Sequence, residues 1–228
     1  MAVEQVSVGA IIVAAGQSRR MGGADKMFAK VNCKPVLWYS LQALQACPSV
    51  DAICLVLHSS NLERGRALVA ESRCSKVVAV CPGGERRQDS VRRGLEALPR
   101  CEWVLVHDGA RPCLDQGILE RGLVAVKTTG AAVAAVPVKD TIKEAAADGV
   151  VMRTLPRESL WAVQTPQVFR YDALVRAHRE VSLDVTDDAA MVEALGGKVV
   201  VFQGAYTNIK VTTPEDLAVV EMFLKGRT

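Results

Sequence analysis

No stretch of the chain approaches the ~18 or more consecutive apolar residues that a membrane-spanning helix needs. The apolar run from Val8 to Ala15 is eight residues long and follows Glu4. A secretory signal would want a positive start and a longer apolar segment. The chain is therefore expected to be soluble and cytoplasmic, with no membrane partner. Cysteine clustering is also lacking. The seven cysteines are odd in number and never closer than seven positions, which excludes a Cys-x-x-Cys metal knuckle and a disulfide framework and leaves reduced, mostly buried thiols. The net charge of +3 is too small for a general nucleic-acid or membrane-surface binder. The three histidines, His58, His107 and His178, have no ligand spacing and read as structural. No repeat, low-complexity stretch or linker marks a second domain.

What is there is an apolar chain with regular alternation. Half of the 228 residues are apolar, enough for one α/β domain spanning 1–228 with a sizeable core. Short β-branched runs at Gly9–Ala14, Ala52–Leu57, Lys76–Val80, Trp103–Val106, Ala131–Val136 and Lys198–Phe202 predict strands. Helix-length stretches separate most of them. Pro35–Ala46 and Asp115–Val126 carry apolar residues at helical spacing, and Arg170–Glu180, Asp187–Leu195 with Thr186 as N-cap, and a last helix opened by Thr213-Pro214-Glu215-Asp216 follow. Runs such as Ile11-Ile12-Val13-Ala14-Ala15 are apolar on both sides, as buried parallel strands are. The pattern predicts a mostly parallel sheet with helices on both faces. Two short alternations, 140–144 and 150–154, flank an Asp-Gly turn and predict a β-hairpin arm over 139–157. An isolated hairpin is marginal in water, so the arm is expected to pack on another subunit.

Chemistry is expected at the carboxyl ends of the strands, where ligands bind in open parallel sheets. The first strand runs into Gly16-Gln17-Ser18-Arg19-Arg20-Met21-Gly22-Gly23-Ala24-Asp25-Lys26. Glycines that let N–H groups approach anionic oxygens, with Arg19, Arg20 and Lys26 for charge, suit a polyphosphate; a solvated basic loop is the plain alternative. The spacing is neither the dinucleotide Gly-x-Gly-x-x-Gly nor a P-loop. Asp108, after the strand Trp103–Val106, can supply the one carboxylate that commonly holds Mg²⁺ with substrate phosphates. It can equally form a turn or pair with Arg111. Gly83-Gly84-Glu85-Arg86-Arg87-Gln88-Asp89-Ser90 suits a nucleobase edge, or a helix start capped by Asp89 or Ser90. Arg157 and Lys210 read as ligands or as surface charges.

Taken together, Ala14-Ala15-Gly16-x-x-Arg19-Arg20-Met21 with Lys26, Gly84-x-Arg86-x-x-Asp89-Ser90, His107-Asp108-x-Ala110-Arg111-Pro112, Gln164-Thr165-Pro166-Gln167 and Asn208-Ile209-Lys210-Val211-Thr212-x-Pro214-Glu215-Asp216 resemble the 2-C-methyl-D-erythritol 4-phosphate cytidylyltransferases. The resemblance covers nearly the whole chain, in order. It implies a single Rossmann-like nucleotidyltransferase domain and transfer of a cytidylyl group from CTP to methylerythritol phosphate, with pyrophosphate released, in non-mevalonate isoprenoid synthesis. Ribitol 5-phosphate is the acceptor of close relatives, and a non-catalytic nucleotide-binding protein is the alternative from another class. By the same resemblance Ala14, Ala15, Gly16, Gly84, Glu85 and Ser90 bind the nucleotide. Arg20, Lys26 and Lys210 are catalytic, and Asp108 holds Mg²⁺. Arg111, Thr141, Arg157 and Thr165 handle the sugar phosphate, several of them across a homodimer interface through the arm. Three positions depart from the common family form: Asp25 precedes the lysine where many members have proline, Gly109 stands for alanine, and Thr207 stands where an acidic residue is frequent.

Overall fold

The computed structural model describes residues 7–16 and 25–226. Its elements are, in order, β1 (Val8–Ala14), β2 (Lys30–Val31), β3 (Lys34–Pro35), α1 (Val36–Gln45), β4 (Ala52–Leu57), α2 (Leu62–Glu71), β5 (Val77–Pro82), α3 (Arg87–Ala97) and β6 (Trp103–Asp108). There follow α4 (Gln116–Thr129), β7 (Ala131–Pro137), β8 (Lys143–Ala145), β9 (Val151–Thr154), β10 (Trp161–Arg170), α5 (Tyr171–Glu180), α6 (Asp188–Ala194), β11 (Val200–Gln203) and α7 (Glu215–Lys225). Seven strands form one sheet in the order β11-β7-β10-β6-β1-β4-β5. All neighbours in it are parallel except β10, which runs antiparallel between β6 and β7.

The expected strands are present, Ala52–Leu57 with the same bounds and the others with ends within two residues of those expected. Not foreseen were the two-residue strands β2 and β3 and, in the large sheet, β10. Its sequence WAVQTPQVFR breaks the apolar run with Gln164 and Gln167, and Pro166 cannot donate to a ladder. The register with β7 shifts between Val163 and Gln167, so Pro166 sits in an irregular stretch where the missing N–H removes no ladder bond. Helix α2 also escaped the periodicity, since it buries only Gly65 and Leu68.

Alternation along β1 divides the core. Ala10, Ile12 and Ala14 pack with Leu37, Leu41 and Leu44 of α1 and with Ile118, Leu119 and Val126 of α4 on one face. Ile11 and Val13 pack with Val91 and Leu95 of α3 and with Leu174 and Ala177 of α5 on the other. Every residue of β1 is buried, as the double-sided apolar run requires. The helix starts correct two expectations. Asp187, not Thr186, caps α6, its carboxylate accepting from Ala190 N–H at 3.0 Å. Neither Asp89 nor Ser90 caps α3; Arg86 holds that position, and Asp89, one turn inside, reaches back to its N–H at 3.2 Å.

The arm forms as a hairpin, β8 pairing antiparallel with β9. Gly149 takes φ +86 at the turn, a conformation open to glycine at no steric cost. Val150, Val151 and Met152 on the arm are exposed. Among the described residues no helix is long and apolar enough to cross a membrane.

Candidate active site

The carboxyl ends of β1, β5 and β6 meet at a cleft of about 390 Å³. Its walls include Ala15, Gly16, Lys26, Gly84, Ser90 and Asp108. The loop between β5 and α3 lies against β1 so closely that a Cβ on Gly83 would come within 2.2 Å of the Ala15 side chain, and one on Gly84 within 2.4 Å of Asp89. Glycine is therefore needed at both positions for close backbone approach. Ser90 Oγ accepts from Gly84 N–H at 3.1 Å, which fixes the turn from inside. Glu85 and Lys210 also line the cleft, whereas Ala14 does not; its side chain points into the core beneath, among Ile12 and Leu37. Arg20 lies outside the described residues.

Lys26 stands on the cleft wall with its ammonium donating to Val211 O at 3.3 Å. The residue before it explains how the lysine is held without a proline. Asp25 accepts from Met27 N–H at 3.0 Å and from Asn61 Nδ2 at 2.6 Å, and Arg64 approaches at 3.5 Å. The Asp25 side chain thus ties the residue before Lys26 to the start of α2.

Asp108, at the end of β6, is the electrostatic centre. Lys210 Nζ lies 2.8 Å and Arg111 Nε 3.6 Å from its Oδ2, and Arg87 Nε lies 3.4 Å from Oδ1. Burial alone would raise this carboxyl, but the charges of Arg87, Lys210 and Arg111 outweigh it and hold Asp108 well below the usual carboxylate range. Asp108 pairs with Arg111, one of the two readings left open by the sequence, and it also faces the cleft. Burial lowers the Arg111 guanidinium, partly offset by Asp108; its Nη1 donates to Asn208 O at 2.7 Å.

A second, smaller cavity of about 220 Å³ opens on the other side of that carboxylate, lined by Arg111, Gln164, Thr165 and Thr186. Asp108, Arg87 and Lys210 line both cavities and form the wall between them. Thr165 joins the two sides. Its hydroxyl accepts from Asp108 N–H at 3.0 Å and lies 3.1 Å from His107 Nδ1, while His107 Nε2 lies 3.2 Å from Arg111 O. A carbonyl can only accept, so Nε2 carries the proton and Nδ1 accepts from the threonine. Burial pushes His107 down to about 4, so the ring is neutral at pH 7. Both its nitrogens are engaged, and it positions Thr165 and Arg111 rather than shuttling protons. The structural reading of His107 is thus upheld.

Thr141 and Arg157 are not brought to either cavity. Both are exposed at the arm, where Arg157 donates to Lys139 O at 2.8 Å. Conversely, sequence reasoning gave no role to Arg87, Gln164 or Asn208. Asn208 is fully buried, its amide donating to Thr165 O at 2.8 Å and to Gln164 Oε1 at 3.3 Å. The available signal was two glutamines interrupting an apolar segment, which marks buried polar groups that need partners.

The sequence model of the 2-C-methyl-D-erythritol 4-phosphate cytidylyltransferases matches residues 8–226. A protein of that name from Dehalococcoides mccartyi is 57% identical over 218 residues, covering 96% of each chain. One from Pelotomaculum thermopropionicum is 46% identical, covering 96% of this chain and 95% of its own. Among solved structures, the 4-diphosphocytidyl-2C-methyl-D-erythritol synthase of Anaerococcus prevotii superposes with a TM-score of 0.86 at 29% identity, covering 96% of both chains. The 2-C-methyl-D-erythritol 4-phosphate cytidylyltransferase of Thermus thermophilus does so at 0.78 and 33% identity, covering 97% of this chain and 99% of that one. With two cavities meeting at one buried carboxylate and likeness over nearly its full length, the chain belongs to the 2-C-methyl-D-erythritol 4-phosphate cytidylyltransferase family.

Proposed function

We propose that the chain transfers the cytidylyl group of CTP to 2-C-methyl-D-erythritol 4-phosphate, giving CDP-methylerythritol and pyrophosphate for isoprenoid synthesis in the cytoplasm. The observation that carries this reading is the shared wall: Asp108, Arg87 and Lys210 border both the cleft beside the Gly83-Gly84 turn and the cavity beside Thr165. A transfer between two substrates needs two pockets that meet at a charged point.

The larger cleft takes CTP, with Gly84, Glu85 and Ser90 at the base and Lys26 at the triphosphate. The smaller takes the sugar phosphate, with Arg111 and Thr165 as its ligands. A phosphate monoester has a second pKa of about 6, so its attacking oxygen is already ionised at neutral pH and no general base is required. That oxygen attacks the α-phosphorus, the bond from the α-phosphorus to the bridging oxygen breaks, and pyrophosphate departs with the negative charge. The obstacle is repulsion between anions, so positioning and electrostatics carry the rate. Lys26, and Arg20 six positions before it in the sequence, stabilise the charge that develops. Lys210 is part-exposed and flexible enough to leave Asp108 for a phosphate oxygen.

Among the described residues no group of three or more His, Cys, Asp or Glu could cage a metal ion. The donor set suits Mg²⁺ carried by the nucleotide, with Asp108 as one protein ligand and phosphates as others. When bound, Mg²⁺ neutralises triphosphate charge. Because Thr141 and Arg157 reach neither cavity of their own chain, and Val150, Val151 and Met152 leave the arm apolar and exposed, we read the protein as a homodimer whose arms complete the acceptor sites of the partner. Pyrophosphate release measured with CTP and Mg²⁺ and either methylerythritol phosphate or ribitol 5-phosphate tests the reading. Turnover of the first acceptor is expected; reaction with ribitol phosphate alone would overturn the acceptor, and no release with either would favour a nucleotide-binding protein.

A further inference from the structure

Asp108 is held from three sides, but the three cations are not equivalent. Lys210 is the most exposed of them, with 39% of its side chain accessible, and Arg111 turns its Nη1 away to Asn208 O. Arg87 is clamped from behind. Its Nη1 meets Asp188 Oδ2 at 2.5 Å, and Asp188, fully buried, receives His178 Nε2 at 3.2 Å on its other oxygen. Arg87 is the first residue of α3 and Asp188 the first of α6, so the guanidinium stitches the start of the nucleotide-side helix to the start of the acceptor-side helix. Neighbouring bonds lock the same seam: Gln88 Nε2 donates to Leu183 O at 3.1 Å, and Gln167 Nε2 to Asp187 Oδ2 at 2.7 Å. Such a doubly paired fork has a fixed plane, which a single lysine contact does not.

We propose that Arg87, anchored by Asp188, is a positioning residue: it keeps the Asp108 carboxylate on the wall between the two pockets while Lys210 and Arg111 turn to the substrates. Neither Arg87 nor Asp188 reacts; each acts through Asp108. The charges are consistent with this division. With both aspartates ionised, departure of Lys210 and Arg111 leaves Arg87 between two carboxylates, so Asp108 keeps one fixed partner.

The inference rests on the cytidylyl-transfer reading, and its test is a cycle of Asp188→Asn, Asp108→Asn and the double variant, with kcat and KM measured for both substrates and folding checked by thermal unfolding. Asp188→Asn keeps the shape and removes the anchoring charge. We expect its kcat to fall about tenfold or more with the KM for CTP within about threefold of wild type, as for loss of a partner that orients a ligand. In the Asp108→Asn background the second substitution should add almost nothing, because the group that Arg87 positions is gone. A crystal structure of Asp188→Asn should show the Asp108 carboxylate displaced. Independent, multiplying losses, an unchanged kcat, or an unmoved carboxylate would each overturn the proposal. If Asp188→Asn does not fold, Arg87→Lys, which keeps the charge but loses the fork, replaces it in the same cycle. If the wild-type chain releases no pyrophosphate, the functional reading fails and the crystallographic comparison still decides on Arg87.

Discussion

The end of β6 and the arm are opposites. At Asp108 a carboxylate pairs with three cations beside a buried His107–Thr165 pair, all within one chain, and Arg87 Nη2 and Arg111 Nε are left without a hydrogen-bond partner among the described residues. On the arm, β9 is exposed along its whole length, and the Arg157 side chain donates to the backbone carbonyl of Lys139 at the base of the arm. The first region is built so that its charges are pre-oriented before any ligand arrives. The second has a shape but no core, and in the proposed homodimer it acts on the partner's site. On the proposed reading, a reaction between two anions gains from both: fixed charge at the centre, and a partner's arm that completes the acceptor side.

The largest effect should separate these regions by rate. Lys26→Ala, on the fixed side, is expected to lower kcat about a hundredfold, the usual cost of removing one electrostatic stabiliser; steady-state kinetics check it. Arg157→Ala should lower turnover about tenfold or more by loss of a charged phosphate contact, while the melting temperature barely moves because the side chain is exposed. Mixing Arg157→Ala with Lys26→Ala protein should restore activity, since each mixed dimer would own one intact site. No recovery after proven subunit exchange would break the comparison, placing both residues in a single-chain site.

Stability should sharpen it further. Thr165→Val removes the hydroxyl that links Asp108 N–H to His107, and leaving those buried groups unpaired should cost about 1–3 kcal/mol in denaturant unfolding. The same change anywhere on the arm should be close to neutral. The smallest effect is one of pH. Burial would raise the Asp188 carboxyl, but Arg87 and His178 bring it below its ordinary value. A depressed carboxyl contributes stability that is fully present above its unfolded value of about 4 and is lost as pH falls through the folded value. Asp188→Asn should therefore narrow the difference in melting temperature between neutral and strongly acidic solution, and an unchanged difference would show that Asp188 does not carry it.

Much of the fold was legible because burial on both faces of a parallel strand leaves a continuous apolar run. Gly9–Ala14, Ala52–Leu57 and Ala131–Val136 all read directly, each within one residue of the strand found. Strand β10 was not legible, since Gln164, Pro166 and Gln167 are tolerated there only because the register breaks and because Asn208, Ala205 and Asp187 supply partners. The site followed the same division. Asp108 and the Gly83-Gly84 turn stand where strands end, so strand prediction placed them, and Lys26 was marked by the basic segment that follows the first strand. Arg87 had no such marker: it stands in a run of six charged or polar residues, Glu85–Ser90, and its partners are the distant Asp108 and Asp188, the latter 101 positions along the chain.

By itself, then, the sequence determined the alternation of strand and helix, the glycine-rich and basic character of the loops at the strand ends, and the family. These depend on spacing between near neighbours, which the order of residues contains. The tertiary structure decided which cations face Asp108, which cavity each wall residue lines, and that Thr141 and Arg157 stand apart from both. Those depend on where segments of distant sequence pack against each other, and a contact across 100 residues leaves no local pattern to read.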